Sequence, residues 1–122
     1  MKKEKEYIEF VIEYEKKHGR RARDVRKDKK GYDIISEGED GKIRLIEVKK
    51  RNFPKERFVS LTLNEFMSFV KNENMWLYVV YFNKKTNKWE IIEIERQKVL
   101  KGIKPKIIAQ FEVSLRKEIA GI

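Results

Sequence analysis

The chain has 122 residues, which is enough for one compact domain with a single core and too few for two ordinary domains. Charged residues make up 41% of it and hydrophobic residues 40%, so we predict one soluble, globular domain over residues 1–122. The 30 Lys and Arg residues outnumber the 20 Asp and Glu residues, and the net charge of +10 favours a polyanionic partner. The absence of Cys excludes a disulfide framework, a Cys zinc site and a thiol nucleophile.

The composition also indicates where the protein works. The sequence has no long apolar run and begins without a signal-peptide pattern, so we expect no membrane partner. A chain without Cys suits the reducing cytoplasm, which is the predicted location. The many Lys and Glu residues are typical of proteins from thermophiles.

The first part of the chain predicts a helix, a short strand and a hairpin. Apolar residues recur at helical spacing over residues 5–18, and Gly19 follows as a stop signal. The basic stretch that comes next contains a short strand at 23–26. Two clearer strands, 32–37 and 42–50, flank a Gly-rich turn and form a hairpin.

The second part of the chain predicts alternating strands and helices. An extended segment at 58–61 precedes a helix over 62–71, which opens with the capping-box spacing of Thr62 and Glu65. Strands at 75–82 and 89–95 follow, the first being an aromatic and β-branched run. A short helix at 96–101 and a last strand at 106–113 end the pattern. This order predicts an α/β fold in which a mixed sheet is flanked by helices.

The hairpin brings chemically useful side chains together. A three-residue loop with Gly41 in the left-handed position pairs Gly38 with Lys42, and the same register places Asp33 opposite Glu47. Opposed residues point to the same side of a sheet, so the two carboxylates converge. Lys49 lies two residues beyond Glu47 and therefore shares its face.

Two converging carboxylates repel each other unless a cation lies between them. Their hard oxygens favour Mg²⁺ or Mn²⁺, which can activate a water and stabilise the charge that builds on a phosphate. The tripeptide Asp/Glu-x-Lys is common in so charged a chain, but only Glu47-Val48-Lys49 lies inside an apolar strand pattern. The alternative is a buried ion pair of Lys49 with Glu47 or Asp33.

The first helix supplies a third acid. Glu15 falls inside the apolar arc of the helical wheel, whereas Glu9 and Glu13 fall outside it. A carboxylate on a core-facing stripe needs a partner. That partner is either a metal or water at the sheet edge, or a nearby cation such as Arg20.

A basic region flanks the acidic patch on two sides. Its position predicts contacts with a nucleic-acid backbone, although a charge run is also typical of a solvated face. The residues predicted to bind nucleic acid are Arg20, Arg21, Arg23, Arg26, Lys27, Lys29, Lys30, Lys50 and Arg51. The aromatic residues Trp76, Tyr78 and Tyr81 are interpreted as core rather than as base-stacking residues.

Several short motifs occur in one order along residues 7–81. They are Val11-Ile12-Glu13-Tyr14-Glu15, Gly19-Arg20, Asp24-Val25, Gly31-Tyr32-Asp33-Ile34, Ile46-Glu47-Val48-Lys49, Leu61-Thr62-x-Asn64-Glu65 and Trp76-Leu77-Tyr78-Val79-Val80. Together they resemble the domain found at the C-terminus of the NO VEIN protein, which is placed in the PD-(D/E)XK nuclease superfamily.

The resemblance implies a restriction-endonuclease-like fold and a metal-dependent nuclease that cuts nucleic acid, with DNA the expected substrate. In that scheme Asp33 and Glu47 hold Mg²⁺ or Mn²⁺ with the Val48 carbonyl, Glu15 assists, and Lys49 positions the attacking water. Two positions depart from the superfamily pattern, since Tyr32 replaces its proline and Lys50-Arg51 follows the catalytic lysine.

Other readings and partners stay open at this point. A non-catalytic nucleic-acid-binding module with the same fold is one alternative, and a small interaction domain with a buried ion pair is another. By analogy with small nucleases, we also consider that the protein forms a homodimer. By analogy with relatives of the family, a helicase or a restriction-system protein is a further candidate partner in trans. Asn64 and Glu65 also recur in the family, but the capping box explains Glu65, so both are interpreted as structural.

Overall fold

The computed structural model describes residues 3–106 and 110–121. These residues form four α-helices and eight strands. The helices are α1 (Glu4–Lys17), α2 (Leu63–Lys71), α3 (Arg96–Lys101) and α4 (Lys117–Ala120). The strands are β1 (Arg20–Asp24), β2 (Ile34–Gly38), β3 (Ile43–Lys50), β4 (Phe58–Thr62), β5 (Met75–Asn83), β6 (Lys88–Glu95), β7 (Ile103–Lys106) and β8 (Gln110–Ser114).

The main sheet has five strands in the order β1-β2-β3-β5-β6. Strands β3 and β5 run parallel, and the other neighbours are antiparallel. The crossover between the parallel strands passes through β4 and α2. The prediction of an α/β fold with a mixed sheet flanked by helices is confirmed.

The predicted hairpin register is also confirmed. The Gly38 amide donates to the Lys42 carbonyl at 2.9 Å, and Ile35 pairs with Leu45. Gly41 has a φ of +78°, the left-handed conformation that a glycine adopts without strain. The turn therefore sets which residues of β2 and β3 oppose each other.

Alternation along the central strands divides the core into two layers. On one face, Ile46 and Tyr78 pack under Ile8 and Val11 of α1. On the other face, Leu45 and Leu77 belong to a larger cluster with Phe69 of α2. Burying these apolar side chains is the main stabilising contribution to the fold.

Two predicted strands differ from the structure. The strand expected at 23–26 lies earlier, at Arg20–Asp24, because it pairs with β2 along its whole length, and Arg26–Asp28 forms a 3₁₀ turn. The strand expected at 106–113 is two strands, β7 and β8, and residues 107–109 lie outside the described part. With β4 they form a second sheet in the order β4-β8-β7, in which the paired Val59 and Val113 are fully buried.

Within the described residues, no helix combines the length and the apolar character needed to cross a membrane.

Candidate functional site

A cavity of about 310 Å³ opens where α1, the start of β2, β3 and the start of α2 come together. It is lined by Glu4, Tyr7 and Ile8 of α1, by Asp33, by Glu47–Lys50 and by Glu65. The hairpin register supplies Asp33, Glu47 and Lys49, and the crossover after β3 supplies Glu65. Three of the four residues predicted to act in catalysis therefore meet in one cavity.

Asp33 is held in place by its own backbone and by its side chain. Its amide donates to the Ile46 carbonyl at 2.8 Å, and its carbonyl accepts from the Val25 amide at 2.8 Å. Its Oδ2 accepts from the Val48 amide at 2.9 Å. The carboxyl group thus lies just beyond the last registered pair of the hairpin, Ile34 with Ile46, and its side chain still reaches that of Glu47.

Glu47 is unusual for an acidic residue because it is almost completely buried, with only 3% of its surface exposed. Burial raises the pKa of Glu47 to about 10, with the Asp33 and Glu65 carboxylates adding to the shift. Burial also raises the pKa of Asp33, and the charge of Glu65 contributes. The carboxyl groups of the site therefore outnumber the positive charges that could neutralise them.

Lys49 is the cation of this cluster. Its Nζ lies 3.0 and 3.2 Å from the two oxygens of Glu65 and 3.4 Å from Glu47. The predicted ion pair of Lys49 with Glu47 is thus present, but the closer partner is Glu65. One ammonium group faces carboxylates on both sides.

Glu65 caps α2 and also contacts Lys49, and the sequence predicted only the cap. Its Oε1 accepts from the Thr62 amide at 2.9 Å, and its own amide donates to the Thr62 hydroxyl at 3.2 Å, so the capping box is confirmed. Burial opposes ionisation, but the Thr62 amide and the Lys49 ammonium hold the pKa of Glu65 below its usual value. The interpretation of Glu65 as a purely structural residue leaves out its contact with Lys49, which no local sequence pattern reveals.

The donor set fits a divalent cation. No three acidic or histidine side chains among residues 3–106 and 110–121 form a complete metal cage. However, Asp33 and Glu47 offer hard oxygens in a buried position where a cation would relieve their repulsion. The N–H and C=O of one strand residue point to the same side, so the Val48 carbonyl is directed, like its amide, toward Asp33.

Glu15 lies elsewhere, and its prediction as a metal ligand and catalytic acid is corrected. Its carboxylate is fully buried and accepts two hydrogen bonds of 2.7 Å from Arg20 and one of 3.0 Å from the Tyr78 hydroxyl. It lies seven residues beyond Ile8 on α1, or about 10 Å along the helix. The alternative partner, Arg20, is the one observed.

The acid that α1 does bring to the cavity is Glu4. Its side chain is 78% exposed and pairs with Arg26 at 3.2 Å. Periodicity could not single it out, because an exposed acid in the first helical turn is typical of ordinary helices.

The predicted nucleic-acid-binding residues fall into two groups. Three of them are held by short intramolecular contacts: Arg20 binds Glu15, Arg26 binds Asp24 and Glu4, and Arg51 donates to the Lys50 and Phe58 carbonyls. A fourth, Arg21, lies 3.8 Å from Glu37 but keeps 89% of its side chain exposed. Arg20 is corrected to a structural residue, since only 17% of its side chain is exposed. The exposed group comprises Arg21, Arg23, Lys27, Lys29 and Lys30, and Lys50 lines the cavity.

Comparison with known proteins gives a family and a fold. The family model described as "Protein NO VEIN, C-terminal" matches residues 3–92. Among solved structures, the chain is similar to Hjc, a Holliday junction resolvase from the archaeal hyperthermophile Archaeoglobus fulgidus. The two share 19% sequence identity and a TM-score of 0.55, over 88% of this chain and 80% of that chain. The search of curated proteins found no match.

Proposed function

Because this chain belongs to the family of the NO VEIN C-terminal domain and has a restriction-endonuclease-like fold, we propose that it is a metal-dependent nuclease. The proposed reaction is hydrolysis of phosphodiester bonds in nucleic acid, with DNA as the first substrate to test. One observation carries the proposal. Asp33, Glu47 and Glu65 line one cavity with Lys49, whose ammonium group contacts Glu47 and Glu65, and the pKa of Glu47 is raised to about 10 by burial and by its acidic neighbours.

Each residue of the cluster has a separate role in the proposal. Asp33 and Glu47, with the Val48 carbonyl, would hold Mg²⁺ or Mn²⁺, which when bound supplies an activated water and stabilises charge on the phosphate. Lys49 would position the attacking water beside the phosphate. Glu65 is a positioning residue, because it touches Lys49 and fixes the ammonium group from the rigid first turn of α2.

The substrate and the assembly belong to the same proposal. The similar protein Hjc is a Holliday junction resolvase, which makes branched DNA a rational member of the substrate panel. A homodimer would let two sites address two strands. A helicase or restriction-system protein would act as a partner in trans.

Calorimetric titration of Mg²⁺ and Mn²⁺, followed by a cleavage assay, tests the proposal. The assay uses labelled single-stranded, duplex and branched DNA, and single-stranded RNA. We expect wild type to bind metal and cut, Glu47→Gln to lose both properties, and Lys49→Ala to bind metal without cutting. Glu13→Gln, which removes an exposed carboxylate from α1, is the matched control and should behave like wild type.

Two results would contradict the proposal. Equal metal binding and equal cleavage by wild type and Glu47→Gln would remove the acidic cluster from the mechanism. Salt-sensitive binding of DNA by wild type, with neither metal binding nor cleavage, would identify a non-catalytic binding module.

A further inference from the structure

A second cavity, of about 510 Å³, lies beyond the carboxyl ends of the parallel strands β3 and β5. The loop after β3, the end of β5 and the following turn form its walls. None of the proposed catalytic residues lines it. The cavity therefore needs an explanation of its own.

The cavity adjoins the acidic site along the strand direction. Lys49 pairs with Val79 in the register of β3 and β5, and Tyr81, which lines the second cavity, lies two residues farther on. Two residues of strand span about 7 Å, which is close to the reach of one nucleotide. Lys50 lines the first cavity and Asn52 the second, so a chain bound at Lys49 would continue directly into the second cavity.

The second cavity is strongly basic. Four of its lining residues, Lys55, Arg57, Lys84 and Lys85, are cations with exposed side chains, and none of the lining residues in the described part of the chain is a carboxylate. The turn that carries Lys84 and Lys85 is ordered by the Asn83 side chain, which accepts from the Lys85 amide at 2.9 Å. Such a concentration of positive charge complements a phosphate-bearing ligand.

The floor of the cavity is aromatic. The Phe53 and Tyr81 rings meet edge to face with centroids 5.3 Å apart, and the Tyr81 hydroxyl donates to Glu90 at 2.9 Å. Tyr81 is half-buried, so its ring keeps some accessible surface while its orientation is fixed. The Phe82 ring points to the opposite face of the sheet, where it packs on Trp89 at 5.5 Å. An inorganic anion gains nothing from contact with aromatic rings, whereas a nucleobase stacks on them.

We propose that this second cavity binds a nucleotide of a single-stranded nucleic acid segment that adjoins the phosphate at the acidic site. The base packs on Tyr81, and Lys84 and Lys85 contact the neighbouring phosphates. In a duplex the bases are stacked and paired, so only an unpaired strand places a base here. The proposal rests on the proposed nuclease function for its orientation, and it adds the structure of the preferred substrate.

The test measures binding in EDTA, so that metal and cleavage play no part. The probes are a labelled 12-nucleotide single-stranded DNA, the same length of RNA, a sugar-phosphate chain without bases, and a DNA duplex. We expect wild type to bind the two base-containing single strands about 5- to 100-fold more tightly than the chain without bases. Tyr81→Leu should reduce this preference several-fold, whereas Tyr81→Phe, which keeps the ring, should retain it.

The charge contribution has a matched pair of variants. Lys84→Ala/Lys85→Ala removes two cations from the cavity. The control, Lys98→Ala/Lys101→Ala, removes two exposed cations from α3. Helix α3 follows the end of β6 that pairs with the start of β5, and so it begins at the end of β5 opposite to the cavity. The first variant should lower the slope of log affinity against log salt concentration for single strands by about 1.4, and the second should leave it unchanged.

Each outcome decides between the claims. Equal behaviour of the two double variants, or a wild-type protein that binds duplex as tightly as single strands, would overturn the nucleotide cavity. Metal-dependent cleavage that persists in that case would leave the proposed function standing. Binding that depends on Lys84 and Lys85, in a protein that never cuts, would instead overturn the proposed function and keep the cavity.

Discussion

Glu65 joins the stability of a helix to the position of the proposed catalytic lysine. One carboxylate accepts from the Thr62 amide and also holds the Lys49 ammonium. A capping residue sits in a rigid first turn, so its carboxylate is well placed to orient a second group without further support. Substitutions at positions 62 and 65 can separate the two tasks.

We predict that Glu65→Gln keeps most of the stability, because an amide oxygen still accepts from Thr62, but slows cleavage by roughly 10- to 100-fold through the lost ion pair with Lys49. Thr62→Ala is the control, since it removes the other half of the capping box and should cost about 1 kcal/mol while cleavage is kept. Urea unfolding and the cleavage assay give the two readouts. Equal loss of cleavage in both variants would mean that Glu65 acts only as a cap.

Glu15 and Arg20 form a buried ion pair that joins the end of α1 to β1. Burial on its own would raise the pKa of Glu15, but the hydrogen bonds from Arg20 and Tyr78 outweigh it and lower that pKa. Glu15→Gln leaves the Arg20 guanidinium without its anion, and we expect a loss of about 3 kcal/mol at pH 7. Glu13→Gln, on the exposed face, should change the free energy of unfolding by less than about 0.5 kcal/mol.

The pH dependence of this difference has a defined sign. A carboxyl group whose pKa is lowered on folding stabilises the protein above its unfolded pKa, about 4.3 for Glu, and this stability is lost as the pH falls through the folded pKa. The gap between wild type and Glu15→Gln should therefore be largest at neutral pH and shrink below about pH 4. Urea unfolding from pH 3 to pH 7 measures it, and a gap that grows in acid would refute the assignment.

At the scale of elements, the loop before β2 touches α2 through a glycine. Gly31 has a φ of +86°, and a Cβ added there would lie 2.8 Å from the Asn64 carbonyl oxygen and 3.1 Å from the Ser68 Cβ. The Ser68 hydroxyl also donates to the Lys30 carbonyl at 3.4 Å. This contact fixes the loop that carries Asp33 against the helix that carries Glu65.

Gly31→Ala should therefore destabilise the protein more than a glycine substitution that has only backbone strain. Gly41→Ala is the matched control, because its φ is +78° and a Cβ there meets nothing within 4 Å. We expect about 1 kcal/mol of strain at Gly41 and at least about 1 kcal/mol more at Gly31, where the alanine also collides with backbone. Thermal and urea unfolding of both variants would show it, and equal losses would mean that the loop moves freely away from α2.

The arrangement of site residues on the hairpin could be predicted from the sequence, but the turn of α1 that lies over the site could not. A three-residue loop with glycine in its left-handed position sets the pairing of β2 and β3, and strand alternation then places Asp33, Glu47 and Lys49 on one side. A helical wheel tells which side of α1 faces the core but not which turn lies over the site. That is why Glu15 was assigned to the cavity that Glu4 lines.

The second sheet could not be predicted for a related reason. Phe58 pairs with Ser114, far along the chain, and no local pattern in either segment encodes that pairing. Its core is recognisable only once Val59 and Val113 are seen to face each other. In the same way, Glu65 joins Lys49 through a crossover whose path depends on packing and not on local sequence.

At the scale of the whole molecule, a net charge of +10 favours nucleic acid everywhere on the surface, so the position of the charges is what needs testing. Lys27, Lys29 and Lys30 are exposed on the connection that leads into Asp33. Cations there would contact phosphates on either side of the one that reaches the acidic cavity.

We predict that replacing Lys27, Lys29 and Lys30 together by Ala lowers the slope of log affinity against log salt concentration by about 2 to 3 for duplex DNA, since each phosphate contact contributes about 0.9. The control replaces Lys98, Lys101 and Lys104, which are also exposed, and so removes the same charge from another part of the surface. Fluorescence anisotropy in EDTA over a range of salt concentrations measures both slopes. If the two triple variants lose the same slope, binding follows net charge alone, and the connection before Asp33 has no special part in guiding the backbone to the site.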